Sequence, residues 1–333
     1  MNKHSIKIEK IGFHWSTESP YLFVAHHQDH YPAGNDQLGP KVSLQGRLMG
    51  QDFSGKDGFS MYHGEVVPGF PMHPHRGFET VTVVTQGLVD HFDSKGSCGR
   101  YGNGDVQWLT TGKGCQHAEM FPLVHKDRDN PLELFQIWLN LPSKDKMVEP
   151  HYKMLWAEDI PKVNFEGGSV DVIAGSFSDT LSLDPSPDSY AMDRAHQVGI
   201  FLIKLEAKGT VVLPKRTEKT KRNLYFFQGT DTLSIDGEKV ESSHRVKLAG
   251  DEEILLENGN AQSFLLILEG EPIDEPVEQY GPFVMNSESE IQKAFEDYQE
   301  TEFGGWPWER PDQVNAGTQG RFARYADGRV ENR

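Results

Sequence analysis

Two short stretches carry the residues whose types and spacing could hold a metal ion. The first, HPHRGFET, places His73 and His75 two residues apart, and the second, GCQHAEM, places His117 and Glu119 at the same spacing. Residues two apart point to the same face of an extended strand, so each pair can present both donors to one point. Three imidazoles and one carboxylate suit a divalent transition metal with positions left open for substrate. The spacing therefore predicts a metal site of the open, catalytic type.

Other histidines need a separate interpretation, because the chain has 14 of them and one histidine in a strand usually has an ordinary hydrogen-bond partner. The segment HHQDH at residues 26–30 is equally rich in ligand types, but no strand pattern surrounds it. We interpret it as a surface loop. His91 and His125 are likewise expected to be exposed.

The candidate ligands need strands to position them, and the sequence supplies short β-rich runs broken by glycine turns. In LELFQIWLN, which starts at Leu132, one strand face is fully apolar and the other is mixed, as expected where a strand lines a pocket. Such runs are typical of β-sandwiches and barrels. They are found at residues 81–85, 132–139, 198–205, 224–228 and 263–268.

One helix is predicted, late in the chain. It covers residues 287–299, with Ser287 as N-cap and Glu290 as its capping-box partner. Beyond it, residues 300–333 have no periodicity, and we expect an extended tail that wraps on the surface or is partly disordered.

The two halves of the chain look like divergent copies of each other. A shift of 142 residues lays VVTQG at 83–87 over YFFQG at 225–229. On this and a similar shift, the four candidate ligands fall on lysine, threonine, serine and leucine in the second half. We therefore expect a first domain over residues 1–150 with the metal site, a second over 151–299 without ligands, and a tail over 300–333.

Composition limits the function classes. The chain has 333 residues and a formal net charge of −17, which argues against direct binding to nucleic acid or to an anionic membrane surface. Its two cysteines, Cys98 and Cys115, fit a reducing compartment rather than a disulfide framework. The start, Met1–Lys10, is polar, and no run of about 20 apolar residues is present. We expect a cytoplasmic protein.

Longer motifs resemble one family. GFPMHPHRGFETVT, GDVQWLTTGKGCQHAEM, QIWLNLP, KMVEPHY and GPFVMN are similar to the pirin family of the cupin superfamily, over about residues 60 to 296. The resemblance implies an all-β fold with two tandem, jelly-roll-like cupin barrels, of which only the N-terminal one holds metal. It also implies that His73, His75, His117 and Glu119 are the metal ligands. Iron(II) is the typical metal of the family, with zinc, nickel, manganese and copper as alternatives.

The same resemblance implies two classes of function. Several bacterial pirins act as quercetin 2,3-dioxygenases, so we expect a flavonol or other small aromatic substrate, dioxygen, release of carbon monoxide and Glu119 as general base. Eukaryotic pirins serve as nuclear transcription cofactors whose binding follows the redox state of iron. The alternative is therefore an iron-binding redox sensor that regulates a protein partner without turning over a substrate.

The carboxylate ligand has an internal competitor. In many cupins the glutamate shortly after the first histidine pair is a ligand, and here that residue is Glu79, four positions after His75. An even step keeps Glu79 on the same strand face as His75, so spacing alone leaves both carboxylates open. The resemblance to pirins favours Glu119 and leaves Glu79 beside the site.

Overall fold

The structure is a computed structural model that describes residues 7–12 and 14–333, so most of the polar stretch at the start lies outside the described residues. The described chain is built mainly of strands, with one α-helix, α1, over Glu288–Thr301, and this confirms the predicted all-β class. Short 3-10 turns cover Lys56–Gly58, Ser143–Asp145, Tyr190–Met192, Arg194–His196 and Glu302–Gly304. The strands, β1 to β27 in chain order, are Lys7–Lys10, His14–Trp15, Tyr21–Tyr31, Gly69–His75, Phe78–Gln86, Leu88–Asp93, Cys98–Gly102, Val106–Thr110, Cys115–Met120, Asn130–Asn140, His151–Leu155, Lys162–Phe165, Gly168–Ala174, Ser176–Phe177, Thr180–Leu181, Gly199–Leu205, Thr210–Leu213, Lys221–Gly229, Leu233–Ile235, Glu238–Val240, His244–Leu248, Ile254–Asn258, Ser263–Gly270, Glu278–Tyr280, Phe283–Met285, Phe322–Arg324 and Val330–Asn332.

The chain folds into two compact units, each assembled from separate segments. One contains the described residues up to 25 together with residues 138–140 and 158–274, and the other contains residues 26–137, 141–157 and 275–333. We call the latter the histidine unit, because all four candidate ligands lie in it. No helix among the described residues is long and apolar enough to cross a bilayer.

Two sheets build the histidine unit. One runs in the order β11-β8-β5-β10-β3, and the other in the order β27-β26-β7-β6-β9-β4. In the second sheet, the antiparallel pairing of β4 with β9 places His73 opposite His117. On the other side of β9, β6 places His91 opposite Glu119 and Asp93 opposite His117. Because directly opposite residues share a sheet face, these side chains form one polar patch inside the unit.

Apolar side chains fill the rest of the histidine unit. Its core is rich in aromatic residues, which include Tyr31, Phe59, Tyr62, Tyr101, Phe121 and Trp156. A smaller cluster packs α1 through Ile291 and Ala294 against Phe283 and Phe303.

The other unit has a largely apolar core, although the ion pair of Arg222 with Glu269 is also buried in it. Its main sheet has the order β1-β21-β18-β23-β16-β13-β12, and a second sheet has the order β17-β22-β19-β20. The core consists of valine, isoleucine, leucine and phenylalanine side chains. Within the described residues, this unit contains no group of three metal-ligating side chains.

The strongest local predictions agree with the structure. Four of the five β-rich runs fall inside strands, namely β5, β10, β18 and β23, and the run at 198–205 lies in β16 except for Val198. The side chain of Ser287 accepts a hydrogen bond from the backbone N–H of Glu290, so the predicted N-cap is confirmed. The Glu290 carboxylate accepts from the backbone N–H of Asn286 rather than from that of Ser287.

Two expectations are wrong. HHQDH is not a surface loop but part of β3, and its inward Asp29 is buried and accepts hydrogen bonds from Ser60 N and Tyr62 Oη. The buried carboxylate of Asp29 occupies a position where an apolar residue is usual, so the sequence does not show the period-2 pattern of a strand. His91 is fully buried, not exposed.

The C-terminal tail contributes two short strands. Its strand β26 pairs with β7, and Ala323 in β26 is buried.

The buried carboxyl of Asp29 should lower the free energy of unfolding as pH rises, and a single substitution should remove this effect. Burial raises the pKa of Asp29 from 3.8 to about 6. A carboxyl that binds its proton more tightly when folded makes the folded state lose stability as pH rises from about 4 to about 6. Asp29→Asn keeps an acceptor for Ser60 and a donor for Tyr62. We expect the variant to lack this loss, worth up to ~3 kcal/mol at neutral pH.

Urea unfolding of Asp29→Asn and the parent protein at pH 4.5 and pH 7.5 measures the effect. The exposed Asp57→Asn change is the matched control, for which the difference from the parent should be the same at both pH values. If the free energy of unfolding of Asp29→Asn changed with pH as that of the parent does, the Asp29 carboxyl would not contribute to the pH dependence of stability.

Candidate metal centre

Three histidines converge on one point between two neighbouring strands. β4 supplies His73 and His75, and β9 supplies His117. One ring nitrogen from each lies within 4.8 Å of the others, and in the part of the chain that the structure describes no other such group of three is found. The ring centroids of His73 and His117 are 4.5 Å apart, and those of His75 and His117 are 5.0 Å apart. The structure thus brings together three of the four predicted ligands at ring-contact distances.

Burial holds these imidazoles neutral. His117 is 0% exposed and His75 is 4% exposed, whereas His73 is half-buried. Burial lowers the pKa of His73 to about 4 and lowers the pKa values of His75 and His117 well below the usual range. A neutral imidazole keeps a lone pair, which is the form that binds a metal ion.

Hydrogen bonds from two of the rings indicate which nitrogen carries the lone pair. Nδ1 of His73 lies 2.9 Å from the carbonyl oxygen of Pro71, and Nδ1 of His75 lies 3.4 Å from that of Pro282. A ring that donates its Nδ1–H to a carbonyl carries its lone pair on Nε2. Both rings of β4 therefore offer Nε2 as the donor atom.

His117 provides the test of whether the residues fit a metal ion. Both of its ring nitrogens are buried, and neither has a hydrogen-bond partner. A buried polar atom without a partner costs about 1–3 kcal/mol, so native proteins rarely keep one without a reason. A bound metal ion would satisfy one of the two nitrogens. The donor set and this unsatisfied ring fit a divalent transition metal.

Glu119 lies beside the three rings. Its Oε2 is 3.8 Å from Nε2 of His117. Oε1 accepts a hydrogen bond from Oγ1 of Thr82 at 3.0 Å, and Oε2 accepts one from Nε2 of Gln136 at 2.9 Å. Burial raises the pKa of the Glu119 carboxyl, and these hydrogen bonds oppose that shift. Gln136 is on the mixed face of β10, the face that the sequence assigns to a pocket.

Glu79 has different neighbours. Its Oε1 accepts hydrogen bonds from Nε1 of Trp108 at 2.8 Å and from Oγ1 of Thr110 at 2.7 Å. Glu79 and Thr82 are three residues apart on β5, so their side chains point to opposite faces of that strand. The contacts of Glu79 are therefore separate from those of Glu119.

The even-step argument for Glu79 fails because the strand is interrupted. β4 ends at His75 and β5 begins at Phe78, with Gly77 between them at a φ of 86°. A Cβ at Gly77 would lie 2.0 Å from the carbonyl oxygen of Val284, so only glycine fits this turn. The turn breaks the alternation that the sequence argument assumed.

An aromatic wall stands next to the half-buried ring of His73. Phe70 lies 6.4 Å from His73, after a register shift in β4 that separates the two residues. Tyr62 stacks on Phe70 at 5.1 Å, and Phe53 lies 6.4 Å from Phe70. Phe53 is 43% exposed, so the wall reaches the solvent. We call Phe53, Tyr62 and Phe70 the aromatic wall; sequence spacing gave no signal for it, because a loop of the chain brings Phe53 and Tyr62 to β4.

Another buried histidine, His91, lies next to His117. The ring of His91 is 5.6 Å from that of His117, and it stacks on Tyr152 at 4.8 Å. Its Nε2 lies 3.2 Å from Oδ2 of Asp93. The strand β6 that carries this pair cannot be assigned as the neighbour of β9 from sequence alone, which is why His91 was missed.

Two other buried residues near the site are Cys115 and Gln107. Cys115 is buried, and burial raises the pKa of its thiol to about 12, which leaves it unreactive. Gln107 is buried and accepts a hydrogen bond from Oη of Tyr101. It pairs with Thr82 across β5 and β8, so it shares the strand face of the Glu119 contacts.

Comparison with known proteins places these features in a family. The model of the pirin family matches residues 37–139, and that of the pirin C-terminal cupin domain matches residues 200–304. A Pseudomonas aeruginosa protein provisionally named quercetin 2,3-dioxygenase is 38% identical over 239 residues, 71% of this chain and 79% of that protein. A pirin-like protein of Solanum lycopersicum is 39% identical over 237 residues, 69% of this chain and 75% of that protein.

A solved structure shows the same architecture. The crystal structure of quercetin 2,3-dioxygenase from Acinetobacter baumannii matches with a TM-score of 0.70 and 25% identity, covering 90% of this chain and 95% of that one. Together with the two matched family models, this likeness confirms the predicted pair of cupin domains.

Proposed function

This chain belongs to the pirin family, and we propose that it is a metal-dependent dioxygenase that opens the ring of a flavonol such as quercetin. The proposed metal ligands are His73, His75, His117 and Glu119, all in the histidine unit. Relatives named for quercetin 2,3-dioxygenase activity support the reaction class, and the geometry of the four side chains supports the ligand set.

The observation that carries the proposal is the unsatisfied, fully buried ring of His117, between two neutral imidazoles and a buried carboxylate. A structural histidine cluster would satisfy its ring nitrogens with hydrogen bonds. Neither buried ring nitrogen of His117 has a hydrogen-bond partner, which favours a bound cation.

The metal and the residues around it would have different roles in the reaction. When bound, the metal would supply a Lewis acid that makes a substrate hydroxyl more acidic, and a redox partner for dioxygen. Glu119 would accept the hydroxyl proton at its carboxylate. Thr82 and Gln136 hold that carboxylate by one hydrogen bond to each oxygen, so its orientation is set before substrate arrives.

The aromatic wall suits a planar substrate. A flavonol is flat and largely apolar, and the stacked pair of Tyr62 and Phe70 offers ring faces next to His73. His73 is the ligand with partial exposure, so the wall and the open side of the site coincide. Substrate would therefore approach along Phe70 while His117 stays screened from water.

We propose iron(II) as the metal in the cell and the cytoplasm as the location. A reducing compartment keeps iron in its divalent form, and it also suits the two buried, free cysteines.

Dioxygen uptake with quercetin tests the proposed function. Protein purified without oxygen and reconstituted with iron(II) should consume dioxygen only when quercetin is present, at a rate that scales with bound iron. The same protein stripped of metal should consume none. Absence of uptake from protein shown to hold iron would refute the dioxygenase proposal and favour the redox-sensing alternative.

A further inference from the structure

One C-terminal segment of the histidine unit packs against β4 and β9, on the side away from the proposed ligands. We call residues 282–305 the C-terminal brace; they include β25, α1 and the 3-10 turn Glu302–Gly304. On β9, Gln116 precedes His117 and points away from the face that carries the proposed ligands. Arg76 follows His75 directly after the end of β4. The brace contacts both of these residues.

On the β4 side, Arg76 connects the residue after His75 to helix α1. Its guanidinium donates to Oδ2 of Asp297 at 2.8 Å and to the carbonyl oxygen of Lys113 at 2.7 Å. The same group lies over the ring of Phe303 at 4.5 Å. Arg76 is buried, so solvent screens this ion pair less than it screens a surface pair.

The brace also reaches His75 itself and the turn that follows it. The carbonyl oxygen of Pro282 accepts from Nδ1 of His75 at 3.4 Å. Lys146 bridges the two segments, because its Nζ donates to the carbonyl oxygens of Gly77 at 2.8 Å and Val284 at 3.1 Å. The tautomer of His75 and the turn after it are thus fixed by the brace.

On the β9 side, Gln116 plays the corresponding part next to His117. Its Oε1 accepts from Oη of Tyr298 at 2.9 Å, and its Nε2 donates to the carbonyl oxygens of Glu302 at 2.8 Å and Gly305 at 3.2 Å. One helix turn, which carries Asp297 and Tyr298, therefore holds both ligand strands.

We propose that Asp297 and Tyr298 are positioning residues for the metal site, which act through Arg76 and Gln116 to set the separation of His75 and His117. The inference rests on the ligand set of the proposed function. Metal ligands must be held to within about 0.5 Å, and packing on the outer face of the strands is the means available here. Loss of such supporting partners typically weakens metal binding by about 10–100-fold.

The test uses the full-length chain and cobalt(II) as the probe, with Asp297→Asn, Tyr298→Phe and the double variant. Cobalt(II) affinity and the visible absorption of the bound ion are measured, since the absorption reports ligand geometry. We expect the double variant to bind cobalt(II) at least about 10-fold more weakly, with shifted absorption bands. The matched control is Lys293→Gln, which removes only the exposed ion pair to the same Asp297. The cobalt(II) affinity of this variant should stay within twofold of that of the parent.

Unchanged affinity and absorption in the double variant, with only a lower melting temperature, would overturn the inference and leave the proposed function intact. If the parent protein binds no cobalt(II), the ligand set fails and the inference with it. Should the double variant not fold, Tyr298→Phe decides the question, because it deletes one hydroxyl: a shifted absorption supports the inference, and an unshifted one overturns it.

Discussion

Replacing His75 with alanine is expected to abolish stoichiometric metal binding and, with it, quercetin-dependent dioxygen uptake. His75 supplies one of three converging nitrogens, and its Nδ1 contact with Pro282 orients the ring. Since loss of a mere supporting partner already costs about 10–100-fold in metal affinity, loss of the ligand itself should cost more than about 100-fold. Metal content after reconstitution with iron(II), together with the dissociation constant for cobalt(II), measures the effect.

His30→Ala is the control for this experiment. His30 lies in the HHQDH segment, is exposed, and belongs to the same unit. The His30→Ala variant should bind metal as the parent protein does. Full metal content in His75→Ala, or loss of metal in His30→Ala, would move the site to the other histidine-rich segment.

The part of the site that the sequence predicted depends on local geometry. His73 and His75 are two apart on one strand, and a period of two needs no knowledge of the fold to place both rings on one face. The same reasoning placed Gln136 on the mixed face of β10, where it now contacts Glu119.

The parts that the sequence did not predict depend on which strands become neighbours. His91 lies opposite Glu119 only because β6 pairs with β9, and Phe53 meets Phe70 only because a loop folds back on β4. The even-step argument for Glu79 failed for a related reason. The turn at Gly77 interrupts the strand, so side chains before and after it no longer alternate between faces in one register. Chain order also gave no hint that α1, which follows the second barrel, contacts the strands of the metal site.

The choice between the two glutamates turns on what each carboxylate contacts. Oxygen atoms of Glu119 lie beside His117 and are oriented by Thr82 and Gln136. Oε1 of Glu79 accepts hydrogen bonds from Trp108 and Thr110, on the other face of β5. Of the two carboxylates, Glu119 is the one beside the histidine cluster, which is the position that the proposed general base needs.

Glu119→Gln is therefore expected to retain much of the bound metal but to lose turnover by about 10²–10⁴-fold, the usual contribution of a positioned general base. The amide keeps the shape of the side chain and an oxygen donor, but it cannot accept the hydroxyl proton. Iron content and the rate of quercetin-dependent dioxygen uptake, measured on the same sample, separate the two roles.

Glu79→Gln is the matched control, because it makes the same chemical change to a buried glutamate on the other face of β5. It should retain metal and most of the turnover while losing about 1–3 kcal/mol of stability, since a buried amide hydrogen replaces an acceptor. Equal losses of metal and of turnover in Glu119→Gln would mean that Glu119 acts as a ligand without moving a proton. Loss of turnover in Glu79→Gln with metal retained would assign the base to the other carboxylate.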